Sequence, residues 1–377
     1  MSATSNKPAA FADLHRDLSL VLPQLRKAGS PAIEACVKGQ RAATDATIAM
    51  VRDWLRDSTA PAMVGLNGLS LEAVREAVAL AEYCRAKLLP MPMPDPVAAC
   101  MTVLQTATLG HALAADLKVV VGASAQGGSA ARREPHPPGL DHPDVNPLGV
   151  GPFVSDRIDE AITARVPNTL FVGGDLDTIL ALRRTARGKG ERAAELFTDA
   201  TALPVKRMVV LLPHDVDIRV AGEWHKLAAQ VQREIRVAVL SLPHPQAANL
   251  RGALEVITWQ TGLSCATGGV DWADGAPRPC AGAANLLPRS ACDVVIDAGW
   301  SPMPTAWRRS VRHYIRISAA IDADADVCFV TPGLALGVAA RVMRFDGAIL
   351  WLCDDPTPGA ALHDPAVDLL RRLANGD

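Results

Sequence analysis

Clustered cysteine is the first thing this sequence lacks. It holds 8 cysteines in 377 residues, namely Cys36, Cys84, Cys100, Cys265, Cys280, Cys292, Cys328 and Cys353, and no two form a Cys-x-x-Cys pair. Iron–sulfur clusters need four gathered thiolates, so the spacing offers no cluster. Cys328 and Cys353 lie inside apolar runs, where a buried, reduced thiol and a cytoplasmic protein are the natural expectation. Aromatic residues make up only 4% of the chain, too few to build base-stacking platforms, which excludes single-stranded nucleic acid as a ligand. The formal net charge of -2 comes from mixed charges of both signs. No electrostatic footprint for DNA, RNA or an anionic membrane results. No apolar run approaches the ~18 residues of a membrane span. Met1 to Asp17 has no apolar core, so a signal peptide is not expected. Neither Gly-x-Ser-x-Gly nor His-Glu-x-x-His occurs.

What is present is small and apolar. Hydrophobic residues make up 49% of the sequence, with alanine and valine prominent, which suits helices packed closely on sheets. The length favours two or three α/β lobes burying roughly three quarters of the unfolded surface. Residues 31–56 carry Ile33, Val37, Ile48, Val51 and Leu55 on a broadly helical period, and 1–57 reads as a helical N-terminal segment. Pro61–Leu66 reads as a strand, and Ser70 as the N-cap of an amphipathic helix over 71–85. Strands are expected at 87–89 and 117–121, with a helix over 97–106 between them. Strands at 169–172, 206–212 and 236–240 alternate with helices over 176–187, 220–233 and 246–258. Residues 293–296, 313–317, 327–330 and 348–352 give four closing strands. The expected fold is α/β, with doubly wound, mostly parallel sheets in two lobes. Residues 58–152 with 290–377 would form the first lobe and 153–289 the second. The stretch 123–152, rich in Gly, Pro, Ser and His, breaks the rhythm as a long functional or interfacial loop.

Four motifs invite chemistry, and each fails at a definable position. Gly122 to Ser129 nearly spells a phosphate loop, but Gly128 occupies the lysine position and no helical period follows. His136, Asp141, His142 and Asp144 have ligand chemistry, yet a proline-crowded loop supplies no rigid geometry. Asp322, Asp324 and Asp326 imitate a calcium loop, but Val327 replaces the required glycine and Gly333 the closing glutamate. Gly173-Gly174-Asp175 opens a helix, where Asp175 repels an anion and serves better as a cap. Trp300, Trp307 and Trp351 read as packing or interface residues.

The C-terminal half carries Trp259-Gln-Thr-Gly262, Leu286-Leu287-Pro288-Arg289-Ser290-Ala291-Cys292-Asp293-Val294-Val295-Ile296, Ala325 to Pro332 and Arg344-Phe345-Asp346-Gly347. In order and spacing it resembles the B-type subunits of the formylmethanofuran dehydrogenase family, within the molybdopterin oxidoreductase superfamily. Thr108 to Gly122 looks like a further segment of that family. The resemblance covers roughly 60–122 and 255–355. Members place a Cys-His pair at the metal, where this chain has Met91-Pro-Met-Pro-Asp-Pro96. A thioether does not replace a thiolate at molybdenum or tungsten. Before Cys84 only Cys36 is available to a cluster. The resemblance therefore implies the family's fold without its iron–sulfur domain, with molybdopterin and cluster lost. No catalytic, cofactor-binding or metal residue is assigned. The pattern looks like the branch found in the formyltransferase/hydrolase complexes of methylotrophic bacteria. That branch implies a non-catalytic scaffold in formaldehyde oxidation. Its partners would be an amidohydrolase-like hydrolase subunit, a formyltransferase subunit and a small C-type subunit. A complex of that kind takes formyl-tetrahydromethanopterin to formate through a methanofuran-like carrier. Arg132, Arg133 and His136 in the long loop suit an obligate interface. A molybdopterin-dependent dehydrogenase subunit, or a small-molecule binding module using a vestigial cofactor cleft, stay open as alternatives.

Overall fold

The computed structural model describes residues 32–90, 109–122, 166, 168–190, 193, 195–197, 204–213, 216–241, 249–263, 268–272, 274–332, 334, 340–343, 347, 349–351 and 364–375. The first elements are strands β1 (Glu34–Val37) and β2 (Gln40–Ala42), helix α1 (Thr44–Asp57) and strand β3 (Pro61–Val64). A 3-10 turn (Leu66–Gly68), helix α2 (Leu71–Cys84) and strand β4 (Lys87–Leu89) follow. Next come α3 (Leu109–Leu113), β5 (Leu117–Val121), β6 (Asn168–Val172), α4 (Leu176–Lys189) and β7 (Arg207–Leu212). Helix α5 (Ile218–Val231), β8 (Arg236–Ser241), α6 (Leu250–Thr261), β9 (Gly269–Asp271) and β10 (Arg278–Cys280) continue the chain. Then come α7 (Ala283–Leu286), β11 (Val294–Asp297), α8 (Thr305–Arg308), β12 (His313–Ser318) and β13 (Val327–Val330). Strands β14 (Arg341–Met343) and β15 (Ile349–Trp351) and helix α9 (Pro365–Asn375) close the described chain.

The fold is α/β. A nine-stranded sheet runs β10-β9-β4-β3-β11-β12-β13-β1-β2, a four-stranded sheet runs β6-β5-β7-β8, and β14 pairs with β15. The smaller sheet is wholly parallel. In the larger one, β4, β3, β11, β12 and β13 are parallel neighbours, and their residues Val64, Val295, Ile296, Ile315 and Phe329 are 0% exposed. Strands this apolar throughout need cover on both faces. Helices α1, α2, α6 and α9 supply it on one face; α7, Trp307 and Val311 supply it on the other. Each covering helix carries the matching stripe: α2 buries Leu71, Val74, Ala77, Val78 and Ala81, one face at helical spacing. Ser70 and Asp175 cap their helices as expected, accepting from the amides of Ala73 and Thr178.

The larger sheet differs from expectation in being mixed. Residues 34–42, taken from periodicity as part of a helical entry segment, are the β1–β2 hairpin. Its turn, Lys38-Gly39, has φ of 49 and 75. Positive φ at both central residues matches the right-handed twist of a hairpin, and glycine adopts it freely. The Gly/Trp/Pro-rich stretch 260–285 likewise hides the β9–β10 pair, turned through Gly275 at φ 80. Strand β5, grouped by sequence with 58–152 and 290–377, lies between β6 and β7 in the four-stranded sheet. Conversely, α6, β9 and β10 belong with the larger sheet, where β9 meets β4 at Val270 opposite Leu88. Apolar parallel strands carry little information about which sheet they join, which is why pattern alone misassigned them. The helix expected over 97–106 and the loop 123–152 lie outside the described residues.

One half-buried histidine gives the fold a pH signature. Helix α5 buries Trp224, Leu227 and Val231, and the neighbouring His225 has a buried Nε2 with no hydrogen-bond partner. Burial lowers its pKa from 6.5 to about 4, because the charged ring loses hydration. The unfolded chain therefore takes up its proton first as pH falls. His225 leaves stability untouched above pH 6.5 and removes it progressively between 6.5 and about 4. Urea midpoints should slope downward across that window, and His225→Gln should flatten the slope. An unchanged slope in the variant would assign acid sensitivity elsewhere.

Candidate functional site

The order of the larger sheet defines where a site belongs. After β3 the chain crosses to β4 on one side; after β11 it crosses to β12 on the other. Strands β3 and β11 are adjacent and parallel, so their carboxyl ends flank a topological switch point. Connections diverging to opposite sides leave a crevice there, the usual ligand position in open α/β sheets. A cavity of about 390 Å³ occupies this region, lined among others by Gly68, Trp300, Arg308, Arg316, Asp324 and Thr331.

Close backbone contact makes its floor. Gly65 ends β3 at φ 70, and a Cβ there would lie 2.6 Å from Gly299 Cα. A Cβ on Gly68 would meet the Ala298 carbonyl oxygen at 2.6 Å, and one on Gly299 the Ser301 carbonyl oxygen at 2.9 Å. The loops after β3 and β11 thus touch main chain to main chain, which only glycine permits.

Beneath them sits a buried ion pair. Asp297, the last residue of β11, is 1% exposed, Arg316 in the middle of β12 is 3% exposed, and their side chains lie 2.7 Å apart. The Asp297 carboxylate also accepts the amides of Gly299 at 2.9 Å and Met303 at 2.8 Å, and the Tyr314 hydroxyl at 2.8 Å. Arg316 Nη2 donates to the Gly299 carbonyl at 2.6 Å. A carboxylate and a guanidinium so ligated need little help from water. Burial, and then the Asp297 charge, push the Tyr314 pKa far up, so the phenol stays a donor at all ordinary pH. Asn67, on the opposing loop, accepts the Trp300 amide at 3.1 Å.

A second guanidinium forms the wall. Arg308 stacks over the Tyr314 ring at 5.0 Å and donates from Nε to the Met303 carbonyl at 2.8 Å. Its Nη1 lies 3.4 Å from both Asp322 and Asp324. Chemically the cavity offers hydrogen-bond donors and acceptors on a small-residue lining. Among the described residues its lining has no cysteine or histidine to act as nucleophile or base, and no three His, Cys, Asp or Glu side chains gather at metal-binding distance.

The residues singled out from sequence scatter. Asp322 and Asp324 do reach the cavity, as partners of Arg308, while Asp326 accepts the Tyr314 amide at 2.9 Å and takes no part. Trp300 lines the cavity, and Trp307 packs into the core on the α7 face of the sheet. Gly122 ends β5 at φ 89, and Gly174 approaches it, where an added Cβ would lie 2.8 Å from Gly122 Cα; Asp175 serves only as a cap. Gly127, Gly128, Ser129, Arg132, Arg133, His136, Asp141, His142, Asp144 and the stretch 91–96 lie outside the described residues. Sequence reading missed Asp297, Arg308, Tyr314 and Arg316. The available signal was Arg316 itself, a charge inside the apolar run His313–Ile317, since a fully buried arginine requires a partner.

No protein-family model matches the chain, and no curated protein does. Among solved structures, it is similar to a chain in the crystal structure of the formyltransferase/hydrolase complex from Methylorubrum extorquens in complex with methylofuran. The TM-score is 0.65 at 18% sequence identity, with 91% of this chain and 98% of that chain covered. At that identity the likeness is one of fold.

Two substitutions test the site's construction. Arg316→Met leaves Asp297 charged, buried and short of its counter-ion, and should cost about 3–5 kcal/mol in urea unfolding. Gly299→Ala forces two touching loops apart and should cost about 1–3 kcal/mol, with both effects absent from Ala320→Ser at the cavity wall.

Proposed function

We propose that this chain is a non-catalytic scaffold subunit of a formyltransferase/hydrolase complex. The observation that carries the reading is the end-to-end fold likeness to a chain of such a complex, over 91% of this chain and 98% of the other. In this reading a hydrolase subunit, a formyltransferase subunit and a small C-type subunit flank the chain. A methanofuran-like carrier moves the formyl group between them, from formyl-tetrahydromethanopterin to formate in formaldehyde oxidation, in the cytoplasm. Among the described residues no helix is long and apolar enough to cross a membrane.

The chemistry of the described side chains supports a role without redox catalysis. Cys36, Cys84, Cys280, Cys292 and Cys328 are free thiols, each buried or half-buried. Burial pushes Cys84, Cys280 and Cys292 up to about 11, and among the described residues no three His, Cys, Asp or Glu side chains gather at metal-binding distance. These residues do not fit either group. A hydrolytic complex has no need of them, because no electrons leave the one-carbon unit.

Surface aromatics support an assembly role. Trp259 and Tyr83 are 63% and 68% exposed, on the last turns of α6 and α2. These helices start side by side, where Asn249 donates to the Leu69 carbonyl at 2.7 Å, and stay packed together. Their last turns therefore lie at the end remote from the cavity. Large exposed aromatics are the side chains that anchor protein interfaces.

Native mass spectrometry of the chain isolated from its own cell should find it in a hetero-oligomer containing formyltransferase and hydrolase chains. Trp259→Ala should weaken that assembly roughly tenfold or more while leaving the melting of the isolated chain unchanged. A stable monomer that hydrolyses a formyl carrier by itself would overturn the scaffold reading, as would stoichiometric molybdenum or tungsten in the purified protein.

A further inference from the structure

We propose that two copies of this chain pair edge to edge through β6, joining their four-stranded sheets into one continuous sheet. Strand β6 ends the smaller sheet, with β5 as its one neighbour. Its side chains alternate in exposure. Thr169 and Phe171 are exposed, Phe171 at 54%, whereas Leu170 and Val172 pack against the core. The main chain alternates in the same way. The Gly122 amide donates to the Val172 carbonyl at 2.9 Å, so Asn168, Leu170 and Val172 turn their amides and carbonyls toward β5 along the parallel ladder. Those of Thr169 and Phe171 turn outward. Among the described residues no hydrogen bond reaches that outer edge.

An open edge invites another strand, and native sheets blunt it with charge, proline or shortness. The larger sheet does so at both ends. Strand β2 is 3 residues long and carries Arg41, which pairs with Glu34. Strand β10 is also 3 residues long and carries Arg278 and Pro279. Strand β6 has 5 residues, Asn-Thr-Leu-Phe-Val, with no charge and no proline. Thr, Phe and Val are strand formers, and the exposed ring of Phe171 gains from cover.

A second copy fits this edge by symmetry. A two-fold axis makes the same patch serve both chains. With that axis through Leu170, antiparallel pairing sets Thr169 opposite Phe171 of the second copy, and Phe171 opposite its Thr169. Both are hydrogen-bonded pairs in this register, so every amide and carbonyl that these residues turn outward finds a partner. On the exposed face each aromatic ring lies beside a β-branched side chain, a favourable cross-strand pair. Leu170 meets its own copy across the axis in the closer, non-hydrogen-bonded position. A slip of one residue would set the outward groups against residues whose own groups already bond β5. The contact is short, so a reversible association on the order of micromolar follows.

The inference does not rest on the assembly reading, and the full chain tests it. Sedimentation velocity over about 1–100 µM should show a monomer–dimer equilibrium. Thr169→Pro removes an outward amide and leaves the ladder to β5 intact. It should weaken the dimer about tenfold or more with wild-type circular dichroism and melting temperature, because an open edge tolerates proline. Leu170→Cys tests the register. Oxidised glutathione, itself reduced to two thiols, should link two copies of this variant through residue 170, as read by peptide mapping, and should leave Asn168→Cys unlinked to its counterpart. The proposal falls if the chain stays monomeric throughout that range or if Thr169→Pro dimerises as wild type. It falls equally if the Phe171 amide gains protection from hydrogen exchange only when a different protein is present.

Discussion

Two opposite charges buried at the carboxyl edge of a sheet organise this protein. Asp297 and Arg316 lie on neighbouring strands, both nearly inaccessible, 2.7 Å apart. Removing two ions from water costs several kcal/mol each, which their mutual attraction repays only when every remaining donor and acceptor is engaged. Here the engaging groups are main-chain atoms of the loop after β11. Residues 298–303 are therefore wound around the carboxylate on one side and tied to the guanidinium on the other. The pair's contribution is one of position: a loop that sequence alone would leave floppy becomes a fixed rim.

That rim gives the sheet order its meaning. A switch point only guarantees that two crossovers diverge; what lies in the gap depends on the loops. Gly65, Gly68 and Gly299 bring those of β3 and β11 into main-chain contact, and Asn67 bridges them by accepting the Trp300 amide. Arg308 then closes the wall by resting on Tyr314, whose hydroxyl is itself held by Asp297. The rim and the wall thus lean on the same carboxylate. The cavity is an extension of the core, and its shape belongs to the fold's own stability.

Legibility from sequence followed the range of the interaction. Ser70 and Asp175 were readable as caps because a cap is decided within three residues. Strands β3 to β8, β11 to β13 and β15 were readable as apolar runs, and the amphipathic helices α2 and α5 because burial imposes a period. The β1–β2 hairpin was misread because Ile33 and Val37 happen to fit a helical spacing, whereas the decisive Lys38-Gly39 turn is a two-residue signal. Sheet membership failed for a different reason. Strands β5 and β3 are both short, apolar and parallel, and nothing local says that the chain leaves one sheet at β4 and returns at β9. The Asp297–Arg316 pair is nineteen residues apart in sequence (316 − 297) and depends on a parallel register, so only the presence of an arginine in an apolar strand hinted at it.

The same physics limits what chemistry such a site can host. A phosphate loop works because its amides and a lysine are unoccupied until the ligand arrives. In this chain the amides of Gly299 and Met303 are occupied from within, by a carboxylate that the fold cannot release without exposing a buried arginine, and that of Trp300 is taken by Asn67. Nor do the described thiols gather with other ligands at metal-binding distance. What lines the edge is a set of guanidiniums neutralised by carboxylates, Arg316 by Asp297 and Arg308 by Asp322 and Asp324. Groups of that kind recognise shape and hydrogen-bonding pattern without activating a bond. A rigid edge at one end of the helices and exposed aromatics at the other are compatible with a protein that others bind, because neither asks the core to move.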